Sequence, residues 1–482
     1  MKNTFSVISI VIIWCLFTCK SSPKSFNVQE VKVQSKPNIV FLLVDDLGWG
    51  DLGCYGATFN DTPNIDRLAS EGMLFSNAYA ASSVCSPSRA AIMTGRYPAR
   101  THLTDWIKGF ERPFAKLAIP KWKMKMDHNR ILLPEALKMG GYTTAFFGKW
   151  HLMPEGQEDF NKHYPTNHGF DINIGGREWG KPAGRNGYFS PFDLPNLDNG
   201  TEGDYLTNKL TDAALDFLDK TDKEKPFLLY FSYYTVHGPI MSPKPLVDKY
   251  KEKAKAFDNE NDEYINPSRA GMLESLDNSV GRVMAKLQQM GIAENTIIIL
   301  TGDNGGNFDK TTGGLRKFKG FPYEGGIREP LMVKWPGKTM EGSVSNVVVT
   351  GTDYYPTILE MVGLESRPEE HLDGVSIAPI LTGKTKTIQR DEVYWHYPHY
   401  HRSKPYGAIR KGEWKLIEYF EDGKLELYNL NQDVNETTDL SKTNPKKTEE
   451  LAQRLHDWRK EVDAQIPTEN PNYNQKKAND SK

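Results

Sequence analysis

The sequence predicts an α/β fold: a doubly wound, mainly parallel mixed sheet flanked by helices, followed by a smaller C-terminal antiparallel sheet with one helix. Three observations carry that prediction. Continuous apolar runs recur in "KPNIVFLLVDD", "YTTAFFGKWH", "KPFLLYFSYYTVH", "NTIIILTGDNGG" and "PLMVKWP", and runs without polar alternation suit strands buried on both faces. Helical patterns lie between them, at 62–71, 131–139 and 268–290, and strand alternating with helix argues for a wound sheet. After about Gly383 the pattern changes to short strands with tight turns, in "DEVYWHYPHYH", "YGAIRKGEWKLIEYF" and "GKLELYNL", and then a helix over 447–462.

Taken in chain order, the first element is an export signal. Lys2 precedes an apolar run over 5–17 that is too short to span a membrane comfortably but suits a signal-peptide core. The run ends in "LFTCKSS", which resembles a bacterial lipobox with Phe17 where a small residue is usual, so that Cys19 would become the lipidated first residue of the mature chain. Ordinary signal cleavage nearby, removing Cys15 and Cys19, is the alternative. Either route leads to export, to the periplasm or the outer membrane of a Gram-negative bacterium, with membrane contact only through an N-terminal lipid. Only Cys54 and Cys85 then remain as internal thiols, so no disulfide framework is expected. The expected divisions are 1–19 signal, 20–36 tether, 37–385 catalytic domain, 386–465 C-terminal α+β subdomain and 466–482 flexible tail. That tail is rich in Asn, Lys and Pro. With 60 basic against 62 acidic residues, the charge balance points to no nucleic-acid partner.

Four of the strands end in polar residues: Asp45 and Asp46, then Lys149 and His151, then His237, then Asp303 and Asn304. Ligands bind beyond the carboxyl ends of strands in open α/β sheets, so these distant residues converge on one edge. Asp45, Asp46, Asp303 and Asn304 offer hard oxygen ligands that suit Ca²⁺ or Mg²⁺ rather than zinc, and two adjacent carboxylates are costly to bury without a cation. Each aspartate has a plainer reading as a cap or turn residue. Arg89, Lys149, Lys319, His151 and His237 would add positive charge and proton carriers around such an ion.

The stretch "VCSPSRAAIMTGRYPAR" predicts a two-turn helix with Ser86 as N-cap, Pro87 at the first position and Gly95 ending it. Cys85 would then stand just outside a helix N-terminus, where backbone N–H groups favour an anion.

"CSPSRAAIMTGR" resembles the sulfatase signature, Cys-x-Pro-Ser-Arg followed by Thr-Gly-Arg. "DDLGWGDLGCYG", "GKWHL", "TVHGP", "TGDNGG" and "LRKFKGFPYEGGIREP" each resemble a sulfatase block in the expected order, from about Pro37 to the C-terminal helix. The chain is thereby identified as similar to type I, formylglycine-dependent sulfatases, with their alkaline phosphatase-like fold. The resemblance implies that a maturase oxidises Cys85 to formylglycine (3-oxoalanine), whose hydrate attacks sulfur with one hydroxyl and expels sulfate with the other. It implies one Ca²⁺ bound by Asp45, Asp46, Asp303, Asn304 and modified Cys85. Arg89 and His151 would hold and deprotonate the diol, Lys149 and Lys319 would grip sulfate, and His237 would protonate the leaving oxygen. In the "LRKFKG" block, Lys317 and Phe318 stand where the family often has glycines, so Lys317 and Arg316 compete with Lys319 for its role. Cys54 reads as a packed structural residue.

Sulfated carbohydrate is the expected substrate, of algal type (ulvan, carrageenan, agar or porphyran). Arg177 in "GGREWG", Trp106 in "RTHLTDW", and His399 and His401 in "YWHYPHYHR" are candidate sugar contacts. For the histidines, a structural cluster or polar edge strand is the equal alternative. Rival functions are a phosphonate or phosphate ester hydrolase of the same superfamily, a glycosaminoglycan sulfatase, and a non-catalytic glycan-binding lipoprotein.

Overall fold

The computed structural model describes residues 36–156, 160–257 and 265–480. The signal-peptide expectation, Cys19 and nearly all of the tether lie outside the described residues.

In chain order the strands are β1 (Asn38–Val44), β2 (Met73–Tyr79), β3 (Leu117–Ala118), β4 (Thr143–Gly148), β5 (Ile172–Ile174), β6 (Phe227–Ser232), β7 (Thr296–Gly302), β8 (Arg328–Lys334), β9 (Ser343–Ser345) and β10 (Val349–Thr350). Nine of them form one mixed sheet, ordered β10-β2-β8-β7-β1-β6-β4-β5 with β9 also on β2. Strands β7, β1, β6, β4 and β5 run parallel, whereas β8 is antiparallel to both β7 and β2.

β1 shows why a continuous apolar run is required. Ile39, Phe41 and Leu43 join one core with the helices Cys85–Thr94 and Leu133–Met139. Val40, Leu42 and Val44 join the opposite core with Pro63–Ser70, Leu206–Lys220 and Pro267–Gln289. Side chains alternate across a strand, so a strand with helices on both sides has no face left for polar residues. β2 escaped the sequence reading because Ser76 and Asn77 interrupt its apolar pattern at a bulge between Phe75 and Ala78.

Beyond the large sheet, β11 (Glu392–Tyr397), β12 (Tyr406–Lys411), β13 (Trp414–Tyr419) and β14 (Leu425–Asn429) form the expected antiparallel sheet, with the helix Pro445–Glu461. Ile409, Leu416 and Leu427 pack against Leu451, Leu455 and Trp458 of that helix. Trp395, Tyr397, Ala408 and Ile417 cluster with Tyr79, Val84 and Ile327. Tyr406 Oη donates to Ser83 Oγ at 2.7 Å, two residues before Cys85. The small sheet therefore backs the segment that carries Cys85.

Two expectations are corrected. Ser86 is not an N-cap: the helix begins at Cys85 itself, Val84 precedes it without a side-chain cap, and Ser86 Oγ instead donates to His151 O. Nor is the described part of the tail structureless. β15 (Thr468–Glu469) pairs with β3, Asn470 Nδ2 donates to Ala115 O, and Gln475–Asp480 is helical. Polar composition gave no sign of these backbone partners, because they come from distant sequence.

Candidate active site

The parallel order β7-β1-β6-β4 brings four strand ends to one edge, and the predicted groups meet there. Asp45 and Asp46 follow β1, Lys149 and His151 follow β4, His237 lies five residues past β6, and Asp303 and Asn304 follow β7. Gly305 lets this last turn close, since a Cβ there would fall 2.2 Å from Gly325 O.

Cys85 opens the helix Cys85–Thr94 and is buried, with ligand atoms of Asp45 and Asp303 within 4.8 Å of its sulfur and of each other. Arg89, one turn along the same face, donates from Nε to Asp303 Oδ2 at 2.8 Å and from Nη1 to Lys149 O at 2.8 Å and Ser232 Oγ at 2.6 Å. Lys149 Nζ donates to Asp45 Oδ2 at 2.7 Å. Lys319 Nζ reaches Asp46 Oδ1 at 2.5 Å and stands 3.6 Å from the Cys85 sulfur.

Three oxygens of this cluster, Asp45 Oδ1, Asp46 Oδ2 and Asn304 Oδ1, are buried and have no hydrogen-bond partner among the described residues. Buried oxygens are normally paired, and an all-oxygen set of this kind fits a hard divalent cation such as Ca²⁺. Burial raises the Asp45 carboxyl, with Lys149 the largest opposing influence. Burial acts the same way on Asp46, yet Lys319, His237 and Lys149 hold that carboxyl well below the usual range. Burial also raises the Cys85 thiol, against the pull of Lys149 and Lys319, so the unmodified residue is a poor thiolate.

The two histidines differ in which nitrogen is fixed. His151 has left-handed backbone (φ 56°), and its Nε2 meets Ile107 O. A carbonyl only accepts, so Nε2 carries the proton and the buried, unpartnered Nδ1 keeps its lone pair. Burial, then Lys149, pushes His151 well below its ordinary value. His237 Nδ1 donates to Gly238 O at 2.8 Å, leaving Nε2 facing Asp46 Oδ2 at 3.7 Å. Burial lowers His237 to about 3, with Asp46 opposing.

A cavity of about 360 Å³ opens onto Cys85, His151, His237 and Lys319. Trp106 and His401 line it, whereas His399 does not. His399 is fully buried, its Nε2 hydrogen-bonded to Thr104 Oγ1 at 2.8 Å and its ring against Trp122, so the structural alternative describes it. Arg177 stands beside the cavity rather than in its lining, pairing with Glu178 and covering Trp179, both of which do line it. Arg316 is spent on Tyr428 Oη and Glu436 O, and Lys317 lies over Phe321, so of the three cations in that block Lys319 is the one at the sulfur. Cys54 is a half-buried free thiol packed beside the core.

Sequence reasoning missed Glu178, Trp179, Asn307 and Arg402 as lining residues. Arg402 adjoins His401, and Glu178 and Trp179 adjoin Arg177, so proximity to named residues was the only available signal. Also missed was Arg269, which forks onto Asp51 (2.5 and 2.7 Å) behind Asp46 from the far helix Pro267–Gln289.

The chain is similar to known proteins over most of its length. The family profile described as Sulfatase matches residues 37–364, and one described as N-sulphoglucosamine sulphohydrolase, C-terminal, matches residues 315–465. A protein named Sulfatase from Formosa agariphila is 33% identical, over 92% of this chain and 91% of its own. The N-acetylgalactosamine-6-sulfatase of Canis lupus familiaris is 33% identical, over 79% of this chain and 71% of its own. The solved structure of Ps i-CgsB in complex with k-i-k-neocarrahexaose superposes with a TM-score of 0.73 at 26% identity, covering 92% of this chain and 96% of that one.

Proposed function

The chain belongs to the sulfatase family, and from that premise we propose that it hydrolyses sulfate esters on an algal-type polysaccharide or its oligosaccharides, with Cys85 matured to formylglycine beside one Ca²⁺. The observation that carries this reading is the meeting of Cys85, Lys319, Lys149 and Arg89 with three unpartnered buried oxygens at one strand edge.

Asp45, Asp46, Asp303 and Asn304 would hold the ion, which supplies positive charge against sulfate oxygens. Formylglycine at position 85 would supply a hydrated aldehyde as nucleophile, made by a separate maturase. The chain's own groups have separable tasks. Lys149 and Lys319 neutralise charge that develops on the sulfate group. Arg89 fixes Asp303 and the loop at Lys149, and so orients the ligands and residue 85 together. His151 Nδ1 is positioned as a proton acceptor, because Ile107 O holds the proton of Nε2. His237 Nδ1 is committed to Gly238 O, so Nε2 is the atom left to serve the leaving oxygen, and it can give a proton only once the ring is doubly protonated.

Support for a polymeric substrate comes from the cavity's surroundings. Asn307, His401 and Arg402 also line a neighbouring groove of about 970 Å³ that carries Phe318, Tyr400 and Tyr473 among Arg112, Lys116 and Lys404. Cations beside aromatic rings suit sulfated sugars, since the cations attract sulfate and the rings offer apolar surface. The neocarrahexaose complex of Ps i-CgsB favours the algal reading, and the Canis relative favours a glycosaminoglycan as the second one. The N-terminal pattern adds export, with Cys19 as lipid anchor, to this proposal.

The test is ion-chromatographic sulfate release from a panel of algal and animal sulfated glycans and their oligosaccharides. Enzyme co-produced with a maturase is compared with Cys85→Ser. Release from carrageenan, agar or ulvan, absent in the control, is expected. Release only from glycosaminoglycans would move the substrate to the second reading, and faster turnover of phosphate monoesters would overturn both.

A further inference from the structure

We propose that His128, His163 and His168 form a second metal site, one that takes a borderline divalent ion such as Zn²⁺ and is separate from the oxygen-rich centre beside Cys85. The three histidines come from two stretches of chain, the loop before the helix Leu133–Met139 and the short turns around Tyr164, and each offers a ring nitrogen within 4.8 Å of the others. His128 Nε2 and His163 Nδ1 stand 3.2 Å apart. Nitrogens bound to a tetrahedral zinc at about 2.1 Å are themselves about 3.4 Å apart. The ring centres are separated by 5.0, 4.4 and 6.0 Å, which brackets the roughly 5 Å that the same geometry requires.

An independent observation also points to a ligand. His168 is 1% exposed, and its Nε2 is buried with no hydrogen-bond partner among the described residues. A buried, unpaired ring nitrogen in contact with two other imidazoles is costly unless something binds it. Burial, and then the neighbouring His128 and His163, lowers His168 to about 3, so it is neutral and carries a lone pair at neutral pH. His128 is exposed, which provides an entry path and leaves its ring room to turn out of its stack on His168. Three imidazoles select a borderline metal over Ca²⁺, so the two sites do not compete.

The location gives the site a consequence. Trp150 Nε1 donates to His163 O at 2.9 Å, and its ring lies 5.8 Å from His168. Trp150 stands between Lys149 and His151, so an ion bound by the three histidines would fasten the segment behind the catalytic loop.

The experiment is calorimetric titration of untagged, calcium-loaded full-length protein with Zn²⁺, beside His128→Ala, whose exposed position leaves the fold intact. Co²⁺ visible spectra and thermal midpoints are recorded on both. One Zn²⁺ per chain, weakened roughly tenfold or more in the variant, is expected. Tetrahedral Co²⁺ bands and a Zn²⁺-dependent rise in midpoint should appear in the wild type alone. No binding, or identical titrations and spectra for the two proteins, would overturn the site.

Discussion

Arg89 Nε and Asp303 Oδ2 stand 2.8 Å apart with both side chains almost completely buried. The pair joins the helix that begins at Cys85 to the end of β7, across 214 positions of sequence. Removing one partner leaves the other charge buried without compensation, which costs about 3–5 kcal/mol. Arg89→Met is therefore expected to lose that order of stability in urea unfolding, besides losing activity. A change below about 1 kcal/mol would mean that the pair behaves like a surface bridge.

Lys319 and Lys317 separate by activity. Lys319 Nζ contacts Asp46 and the Cys85 sulfur, whereas Lys317 lies over Phe321. Loss of a charge-stabilising donor costs about 10²–10³ in kcat. Lys319→Ala should fall by that factor and Lys317→Ala by little, read from steady-state rates on one sulfate ester. The reverse ranking would restore Lys317 to the role.

Metal removal should couple activity to stability. Asp45, Asp46, Asp303 and Asn304 form the oxygen cluster with unpartnered atoms. Calcium at a hundredfold excess over its Kd stabilises a folded protein by about 2.7 kcal/mol. Chelation is expected to abolish turnover and lower the thermal midpoint, with Ca²⁺ restoring both. In Asp46→Ala the chelator should have little left to remove.

Asp105 introduces a pH dependence near the cavity. Burial pushes its carboxyl up to about 7, although Tyr397 Oη at 2.6 Å and the Trp106 N–H at 2.8 Å both donate to its Oδ1. The folded-state value lies above the unfolded one, so the protonated group favours folding. Its contribution is complete below about pH 4 and is lost as pH rises through about 7. Asp105→Asn keeps an acceptor without the charge. Its stability relative to wild type should rise between about pH 5 and about pH 8, measured by urea midpoints. A pH-independent difference would place the carboxyl in its ordinary range.

What was legible in the sequence follows from where the information is stored. β1, β4, β6 and β7 announce themselves because burial on two faces leaves only apolar residues, and the polar groups at their ends must then share an edge. Groups placed by tertiary contact were not legible. His399 and His401 are two residues apart in one run, yet one is fully buried against Thr104 and the other faces the cavity. Ser86 has the chemistry of an N-cap but is taken by His151 O. Asn470 reads as tail composition until its partners near β3 are known.

That same tail yields the last prediction. β15 pairs with β3, and Tyr473, Gln475 and Ala478 line the groove that shares Asn307, His401 and Arg402 with the cavity. None of the three touches the cavity that holds Cys85. Truncation after Ile466 should therefore leave hydrolysis of a small aryl sulfate near wild type while raising KM for a sulfated polymer. Tyr473 is the aromatic ring that the truncation removes from the groove, so Tyr473→Ala alone should reproduce most of the rise in KM. Equal effects on both substrates would show that the tail acts through the fold, and no effect on either would mean that the substrate stays within the inner cavity.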